Sequence, residues 1–300
     1  MKKIIIIGHG FCGLTTAVLL TMRGQPVETL GIASEAASII TETSKHSQVP
    51  ELKDTLIHVI ANKTLRFIDN LHPADVFIIS APATIAQTGI DPLIDQPITR
   101  ADCSPLFYAA KGILSRLQPG NIVILESKAS PRTTIDLLQP LLEQTGIKAG
   151  VDFFLAYCPQ RCNPSNTLQE LTHTDIIIGG INQASARAAS TVYQTYMLGQ
   201  MHITNSTTAE LVHLAQSSYI DINIAFAREF SRISERYGVD PLTAADLANR
   251  NPAVNLQPRL SLACYPEQNS ETLLLVPGSP HDTRLLQTAR AINNTPNTRP

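Results

Sequence analysis

The sequence lacks the features that mark nucleic-acid-binding, membrane and secreted proteins. Its formal net charge is only −2 over 300 residues, so it has no basic excess of the kind that binds nucleic acid or anionic lipid. No apolar run approaches the roughly 18 residues that a membrane-spanning helix needs, and Ile4–Ile7 is too short for the apolar part of a signal peptide. We therefore expect a cytoplasmic protein of one large or two smaller domains, with no nucleic-acid or membrane partner.

Tryptophan is absent and cysteine is scarce. The cysteines number five, an odd count, and they are widely scattered, which fits reduced thiols better than a disulfide framework. Cys158 and Cys162 are four residues apart, but no second pair of Cys or His stands at a ligand spacing. We therefore expect neither disulfides nor a metal site.

The first residues of the chain carry its most informative motif. A short apolar strand pattern, Met1–Ile7, runs directly into Gly-His-Gly-Phe-Cys-Gly, and an apolar helical pattern, Leu14–Leu20, follows. In such a strand–turn–helix unit, Gly8 allows the tight turn, Gly10 lets the backbone approach a pyrophosphate, and Gly13 lets helix and strand pack closely. The N–H groups at the start of the helix then face the phosphates. The motif predicts dinucleotide binding, with a purely structural turn as the alternative.

The ribose half of the expected site is weaker than the phosphate half. A dinucleotide fold usually has Asp or Glu at the end of its second strand, which holds the adenosine ribose. The second strand here is Pro26–Ile32, and Ala33 stands where the acid is expected, followed by Ser34 and Glu35. Ser34 can replace one hydrogen bond. We expect NAD as the cofactor, although the loss of the acid leaves NADP open.

Strand patterns alternate with helical patterns through the first two-thirds of the chain. This alternation predicts an α/β fold with a mostly parallel, doubly wound sheet and right-handed crossovers. The further predicted strands are Thr64–Ile68, Asp75–Ser80, Asn121–Glu126, Phe153–Tyr157, Asp175–Ile178 and Met201–Thr204, and the helices among them are Ser104–Leu117, Pro131–Thr145 and Gln183–Met197.

The last third of the chain is predicted to be helical and then irregular. A long helix is expected over Thr207–Tyr237 and a second one over Pro241–Arg250. From Asn251 onward the sequence is rich in Pro, Asn, Gln and Thr, which favours irregular or disordered structure. We therefore predict a dinucleotide-binding domain of residues 1–204, a helical dimerisation domain of residues 205–256 and an irregular tail of residues 257–300.

Short motifs occur in a fixed order along residues 1 to 256. They are Gly8–Gly13, Leu125-Glu126-Ser127 with Pro131 and Thr133-Thr134, Ala156-Tyr157-Cys158-Pro159 with Arg161, Ile178-Gly179-Gly180, Thr204-Asn205-Ser206 with Thr208-Ala209-Glu210, Asp221–Ala227, Leu247–Arg250 and Val254-Asn255. In these motifs the chain resembles the nucleotide-sugar (UDP-glucose/GDP-mannose) dehydrogenases, and most of all their UDP-N-acetylmannosamine dehydrogenase branch.

The resemblance implies a fold, a cofactor and a reaction. Members of the family have two Rossmann-like domains joined by a long helix that also forms a homodimer. The first domain binds NAD, and the second binds the nucleotide of a sugar. The family oxidises a sugar C6 alcohol twice to a carboxylate, with two NAD and a Cys-bound thioester. We therefore expect a UDP-sugar substrate and a homodimer through the helix at 207–237. The roughly 40 residues after Asn255 cannot form the second Rossmann-like domain, which we expect to be absent.

The resemblance also assigns individual residues to the two parts of the site. Several positions expected to be catalytic depart from the family pattern. Its Glu for thioester hydrolysis is Gln160 here, and an amide cannot act as a base. Its helix Lys and Asn are His213 and Ser217, and a neutral His stabilises an oxyanion poorly although it can accept a proton. Its Thr that positions water is Lys128, and its nucleophilic Cys is represented only by Cys264, without the neighbouring Gly and His. The cofactor-binding positions are Gly8, Gly10, Phe11, Cys12, Gly13, Ser34, Pro82 and Ser127.

Each departing residue also has a structural interpretation. Gln160 can hydrogen-bond within its loop, His213 can pack in a core or interface, Cys264 can be a small buried apolar residue, and Lys128 can be a solvated loop residue.

Three hypotheses follow from these residues. In the first, the chain is a divergent NAD(P)-dependent oxidoreductase that transfers one hydride, with His213 as proton shuttle and without a covalent intermediate. In the second, it is a catalytically inactive relative that keeps the cofactor pocket and acts as a regulatory or partner subunit. In the third, the fold alone survives, and the chain pairs with a full-length enzyme through its long helix.

Overall fold

The computed structural model describes residues 1–8, 10–31, 50–81, 84–91, 96–160, 168–256 and 283–295. The described chain forms two compact units, one of Met1–Thr84 and Asp102–Glu210, the other of Ile85–Ala101 and Leu211–Pro300. The strands are β1 (Ile4–Ile7), β2 (Val27–Leu30), β3 (Leu65–Ile68), β4 (Val76–Ile79), β5 (Thr84–Asp91), β6 (Gln96–Asp102), β7 (Ile122–Leu125), β8 (Phe154–Tyr157), β9 (Ile176–Gly180) and β10 (Met201–Asn205).

The helices of the described chain vary greatly in length. They are α1 (Phe11–Met22), α2 (Pro50–Ala61), α3 (Ser104–Ile113), α4 (Gln139–Leu142), α5 (Leu168–His173), α6 (Gln183–Tyr193), α7 (Ser206–Arg236), α8 (Pro241–Ala248) and α9 (Arg284–Asn294), with a π-helix at Thr133–Leu138 and a 3₁₀ turn at Glu143–Thr145.

The first unit is built on an eight-stranded sheet in the order β10-β9-β8-β7-β4-β1-β2-β3. Every pairing is parallel except that of β8 with β9. The run β3-β2-β1-β4-β7-β8 has the strand order of a doubly wound dinucleotide-binding fold. The prediction of a mostly parallel α/β sheet is confirmed. The strand order reverses between β1 and β4, so the loop after β1 lies at the switch point, where ligands of such sheets bind.

Alternate residues of each central strand face opposite sides of this sheet. Ile4 and Ile6 belong to an apolar cluster with residues of α1, α2 and α6, whereas Ile5 and Ile7 belong to another with residues of α3 and α4. Because both faces are covered, β1, β4 and β7 are continuous apolar runs rather than alternating ones. The strand ends at the switch point therefore rest on a packed three-layer core.

One predicted helix is divided in the structure. We predicted a single helix over Pro131–Thr145, but this stretch consists of the π-helix, α4 and the 3₁₀ turn. Pro140 lies in the first turn of α4, where its missing N–H interrupts the hydrogen-bond ladder from the preceding helix. Helices α2 and α5 and the hairpin of β5 and β6 were not predicted from the sequence.

The second unit contains that hairpin and most of the long helix. Helix α7 covers nearly all of the predicted helix at 207–237, and α8 that at 241–250. The prediction of an irregular tail over 257–300 is wrong for Arg284–Asn294, which forms helix α9. Apolar residues at 285, 286, 289 and 292 give this short segment one apolar face in a stretch that is otherwise polar.

No helix among the described residues combines the length and the apolar character that crossing a membrane needs.

Candidate functional site

The Gly-rich loop joins β1 to α1 at the switch point of the sheet. Gly8 has a φ of 110°, and a Cβ there would lie 2.5 Å from the carbonyl oxygen of Ser80, just after β4. A Cβ at Gly13 would lie 2.4 Å from the carbonyl oxygen of Gly8. Both positions therefore require glycine, one for backbone conformation and space and the other for close packing of α1 on the turn.

Gly10 differs from these two glycines because a Cβ there would meet no atom of the described residues within 4 Å. It is the N-cap of α1, its backbone is extended, and no side chain caps the first turn. The first N–H groups of α1 have no acceptor within the helix, and the dipole places partial positive charge there. Open space in front of the N–H groups at a helix N-terminus is the arrangement that accommodates a phosphate.

The other predicted cofactor-binding residues fall into two groups. Phe11 and Cys12, both half-buried, form the first turn of α1, and the side chain of Phe11 packs against the core. Ser127 follows β7 and is buried, and its hydroxyl donates to the carbonyl oxygen of Ile79 at 3.2 Å. This bond joins the ends of β7 and β4 beside the loop. The predicted positions Ser34 and Pro82 lie outside the described residues.

The predicted catalytic residues are distributed over both units. Lys128 and Gln160 are half-buried residues of the first unit, in the loops after β7 and β8. In the second unit, His213 is buried on α7 and Ser217 lies four residues later on the same side of that helix. Cys264 lies outside the described residues.

A buried carboxyl group that the sequence analysis did not single out lies beside the loop. Glu126 directly follows β7 and is only 3% exposed. It accepts hydrogen bonds from the hydroxyl of Tyr193 at 2.8 Å, from that of Thr16 at 3.1 Å, and from the Gln160 side-chain amide at 3.5 Å. The Gln160 amide also donates to the Tyr196 hydroxyl at 3.4 Å. Gln160 is therefore engaged as a hydrogen-bond donor.

The environment of Glu126 favours its neutral form. Burial, with a smaller contribution from the Cys12 thiol, raises the pKa of Glu126 to about 8, against the lowering effect of its three hydrogen bonds. Burial also raises the pKa of the Cys158 thiol far above its usual range. Since the thiolate is the reactive form, Cys158 is an inert buried thiol at neutral pH.

A second buried carboxyl group fixes the loop that carries Lys128. Glu210, in the first turns of α7, accepts hydrogen bonds from the Thr134 N–H at 2.9 Å, the Thr134 hydroxyl at 2.7 Å and the Arg132 N–H at 2.5 Å. Arg132 has a φ of 71°, so Glu210 holds a left-handed residue at the start of the π-helix. Burial raises the pKa of Glu210, and these bonds oppose the shift.

The sequence contains only weak signals for these two carboxyl groups. Glu126 is the first charged residue after four buried apolar strand residues, and Glu210 lies in an otherwise small and polar helix start. Both residues lie in motifs that carry the family resemblance. Their partners are 34 to 110 residues away in sequence, so the hydrogen bonds could not be predicted from local patterns.

Two family sequence patterns match the chain. The pattern described as UDP-glucose/GDP-mannose dehydrogenase family, NAD binding domain, matches residues 2–197, and that of the central domain of the same family matches residues 207–295. NAD is the cofactor of these dehydrogenases. The second match extends well past residue 256, where the predicted helical domain ended.

Named relatives agree with these matches. The UDP-N-acetyl-D-mannosamine dehydrogenase of Pyrococcus horikoshii is 32% identical in an alignment that covers 97% of this chain and 68% of the relative. That of Methanocaldococcus jannaschii is 33% identical over 85% of this chain and 57% of its own. The NDP-N-acetyl-D-galactosaminuronic acid dehydrogenase of Ralstonia solanacearum is 31% identical, over 98% and 69%. The chain thus spans between about half and two-thirds of the relatives' length.

Solved structures show the same likeness. The UDP-D-ManNAc dehydrogenase of Pyrococcus horikoshii superposes with a TM-score of 0.79 at 31% identity, covering 97% of this chain and 68% of that one. The UDP-N-acetyl-mannosamine dehydrogenase of Staphylococcus aureus gives 0.75 at 29% identity, covering 97% and 67%.

Proposed function

This chain belongs to the UDP-glucose/GDP-mannose dehydrogenase family, and we propose that it binds NAD at its Gly-rich loop and oxidises a CH–OH group of a nucleotide sugar. The observation that carries the proposal is the loop itself. Gly8 and Gly13 are required by close backbone contacts, while Gly10 leaves open space before the N-terminus of α1. That combination of a fixed turn and an open phosphate position favours cofactor binding over a purely structural turn.

The proposed reaction is a single two-electron oxidation. When bound, NAD would supply the hydride acceptor, and the chain's own residues would bind the alcohol, orient it and take up its proton. His213 is the proposed proton acceptor, on the match of sequence motifs and on its burial on α7. The family's thioester route requires a carboxylate at position 160, and Gln160 here is a hydrogen-bond donor to Glu126 and Tyr196.

The glutamine at position 160 favours a second candidate function. A relative without a base at position 160 can retain its cofactor site and serve as a regulatory or partner subunit. Gln160 supports this candidate, because groups that act as a unit lose most of the rate when one is removed.

Titration with the four nicotinamide nucleotides, followed by turnover, tests the proposal. Calorimetry is the suitable method because the chain has no tryptophan to quench. We expect saturable binding of NAD or NADH, and one NADH formed for each UDP-sugar consumed across a panel that includes UDP-N-acetylmannosamine and UDP-glucose. The turnover should survive Cys264→Ala and be lost in His213→Ala.

Other outcomes of this experiment separate the hypotheses. Formation of two NADH for each sugar would show that this chain performs the family's full double oxidation. Binding without turnover over the whole panel would establish the partner-subunit candidate. A folded sample that binds none of the four nucleotides would leave only the fold.

We also propose that the chain forms a homodimer through α7. Tyr219, Phe226 and Ile233 are spaced by seven residues, so they share one face of this helix, and each is more than half exposed, Phe226 at 56%. Together with Leu211 at one end they form an apolar stripe that a second copy of the same helix can cover.

Phe226→Glu is expected to shift the dimer to monomer, because it places a carboxylate at the centre of this stripe. The expected loss is at least tenfold in dimerisation affinity, or about 1.4 kcal/mol. Sedimentation velocity over a concentration series measures it. Glu235→Gln is the matched control, because this exposed residue is nine positions after Phe226 and therefore lies on the opposite face of the same helix, and it should leave the dimer intact. A wild-type chain that sediments as a monomer at every concentration would exclude this interface.

A further inference from the structure

Glu126 joins three elements that surround the proposed cofactor loop. Its carboxyl group accepts from Thr16 on α1, from Tyr193 on α6 and from Gln160 after β8. All four residues lie in the first unit, and Glu126 and Tyr193 are buried. The carboxyl group is therefore a fixed point that ties α1 to the loop carrying Gln160.

This fixed point is close to the phosphate-binding turn. Thr16 lies in the second turn of α1, the helix whose first N–H groups face the open space at Gly10. Cys12, in the first turn of that helix, is near enough to act electrostatically on Glu126. Loss or rearrangement of the hydrogen bond between Glu126 and Thr16 would therefore shift α1 about one turn from its N-terminus at the loop.

The charge state of Glu126 matters because a pyrophosphate is an anion. The groups that act on it are Cys12 and Thr16 from α1, Gln160 from the β8 loop and Tyr193 from α6, and none of these is cationic. Cys158, which also follows β8, interacts with Glu126 as well. Lys128 is two residues after Glu126 in the chain. Burial among these groups raises the pKa of Glu126 to about 8. Glu126 is then neutral at pH 7 and acquires a buried negative charge in mildly alkaline solution.

We propose that Glu126 is a positioning residue of the cofactor site, which in its protonated form holds α1 and Gln160 in the geometry that binds the NAD pyrophosphate. In that form it donates one hydrogen bond, and the Thr16 hydroxyl can turn to accept it. The ionised form repels the cofactor phosphates and carries a buried charge. This inference rests on the proposed function, because it requires NAD to bind at the Gly-rich loop.

Glu126→Gln tests the inference, because a glutamine has the shape and the hydrogen-bonding groups of the protonated acid. In the wild type, calorimetric titration with NAD should show affinity falling roughly threefold to tenfold from about pH 7 to about pH 9. In Glu126→Gln, affinity should stay at the wild-type value for pH 7 over the whole range. Glu126→Ala should bind more weakly than the wild type at pH 7, since it loses the hydrogen bonds that join this position to Thr16 and Gln160.

One further variant isolates the carboxyl group. Glu235→Gln makes the same change at an exposed position of α7 and should retain the wild-type pH profile.

The possible outcomes separate this inference from the proposed function. Wild type and Glu126→Gln with the same pH profile would overturn the inference while NAD binding stands. A folded Glu126→Gln that fails to bind at pH 7 would also overturn it, because the charged form would then be the one required. Absence of NAD binding by the wild type at every pH would overturn both, and the dependence of the thermal midpoint on pH would still report whether Glu126 is neutral at pH 7.

Discussion

Gly10→Val is expected to lower the affinity for NAD by roughly a hundredfold or more, equivalent to about 2.7 kcal/mol or more, without unfolding the protein. The reason is that the Cβ at residue 10 points into space in front of the N-terminus of α1, where no atom of the described part of the chain lies within 4 Å. The valine methyl groups would occupy the place proposed for the pyrophosphate. The backbone there is extended, with a φ of −63°, so a valine introduces no strain. Calorimetric titration measures the affinity, and thermal denaturation measures the stability.

Gly13→Ala is the matched contrast, since it adds a smaller group three residues later. Its Cβ would lie 2.4 Å from the Gly8 carbonyl oxygen and 3.1 Å from the Ser80 side chain, so α1 must move away from the turn. We expect it to cost about 1–3 kcal/mol of unfolding free energy, whereas the poorer N-cap in Gly10→Val costs less than about 1 kcal/mol. Equal loss of stability in both variants, or full NAD affinity in Gly10→Val, would contradict the assignment of the open space to the cofactor.

The parts of the fold that were predictable from the sequence depend on local patterns. Strand β1, the Gly-rich turn and α1 are adjacent in the chain, so the motif is recognisable in a short stretch of sequence, although the contact that requires glycine at position 8 comes from Ser80. The central strands are recognisable because both faces are covered, which makes them uninterrupted apolar runs. The long helix at 206–236 has the length and spacing of a helix in its sequence alone.

The hydrogen-bonded core of the candidate site could not be predicted in this way. Glu126 bonds to Thr16 and Tyr193, which are 110 and 67 residues away, and those pairings exist only after the strands have assembled. The role of Gln160 could not be predicted for the same reason. The sequence shows only that an amide stands where the family has a carboxylate, whereas the structure shows that this amide donates a hydrogen bond to the buried Glu126.

The tail shows how composition can hide a helix. The abundance of Pro, Asn, Gln and Thr after residue 250 predicts irregular structure when averaged over 50 residues. Helix α9 occupies only eleven of them, Arg284–Asn294, and its stabilising contacts come from α7 in the same unit. A short amphipathic segment that depends on tertiary contacts gives little signal above a polar background.

The contacts of α9 lead to a second large expected effect. Asp221 of α7 is 2% exposed, and its carboxylate pairs with the Arg290 guanidinium at 3.3 Å and accepts from the Asn293 amide at 3.0 Å. Arg228, about two turns further along α7, donates to the carbonyl oxygens of Ile292 and Asn293. The end of α9 is thus held on α7 by polar contacts made away from water.

Asp221→Ala is expected to cost about 3–5 kcal/mol and to release α9 from α7. It leaves the guanidinium of Arg290, whose side chain is 11% exposed, without the carboxylate that compensates its burial. Thermal denaturation measures the loss of stability, and amide hydrogen exchange over 284–294 measures the release.

Asp221→Ala/Arg290→Met removes both charges and should recover part of the loss, since an apolar pair avoids the uncompensated buried charge. Glu235→Ala, at an exposed position of the same helix, should change stability by less than about 0.5 kcal/mol. If Asp221→Ala matched that control and left exchange at 284–294 unchanged, the polar contacts would not be what holds α9, and the apolar face of the helix would have to do so alone.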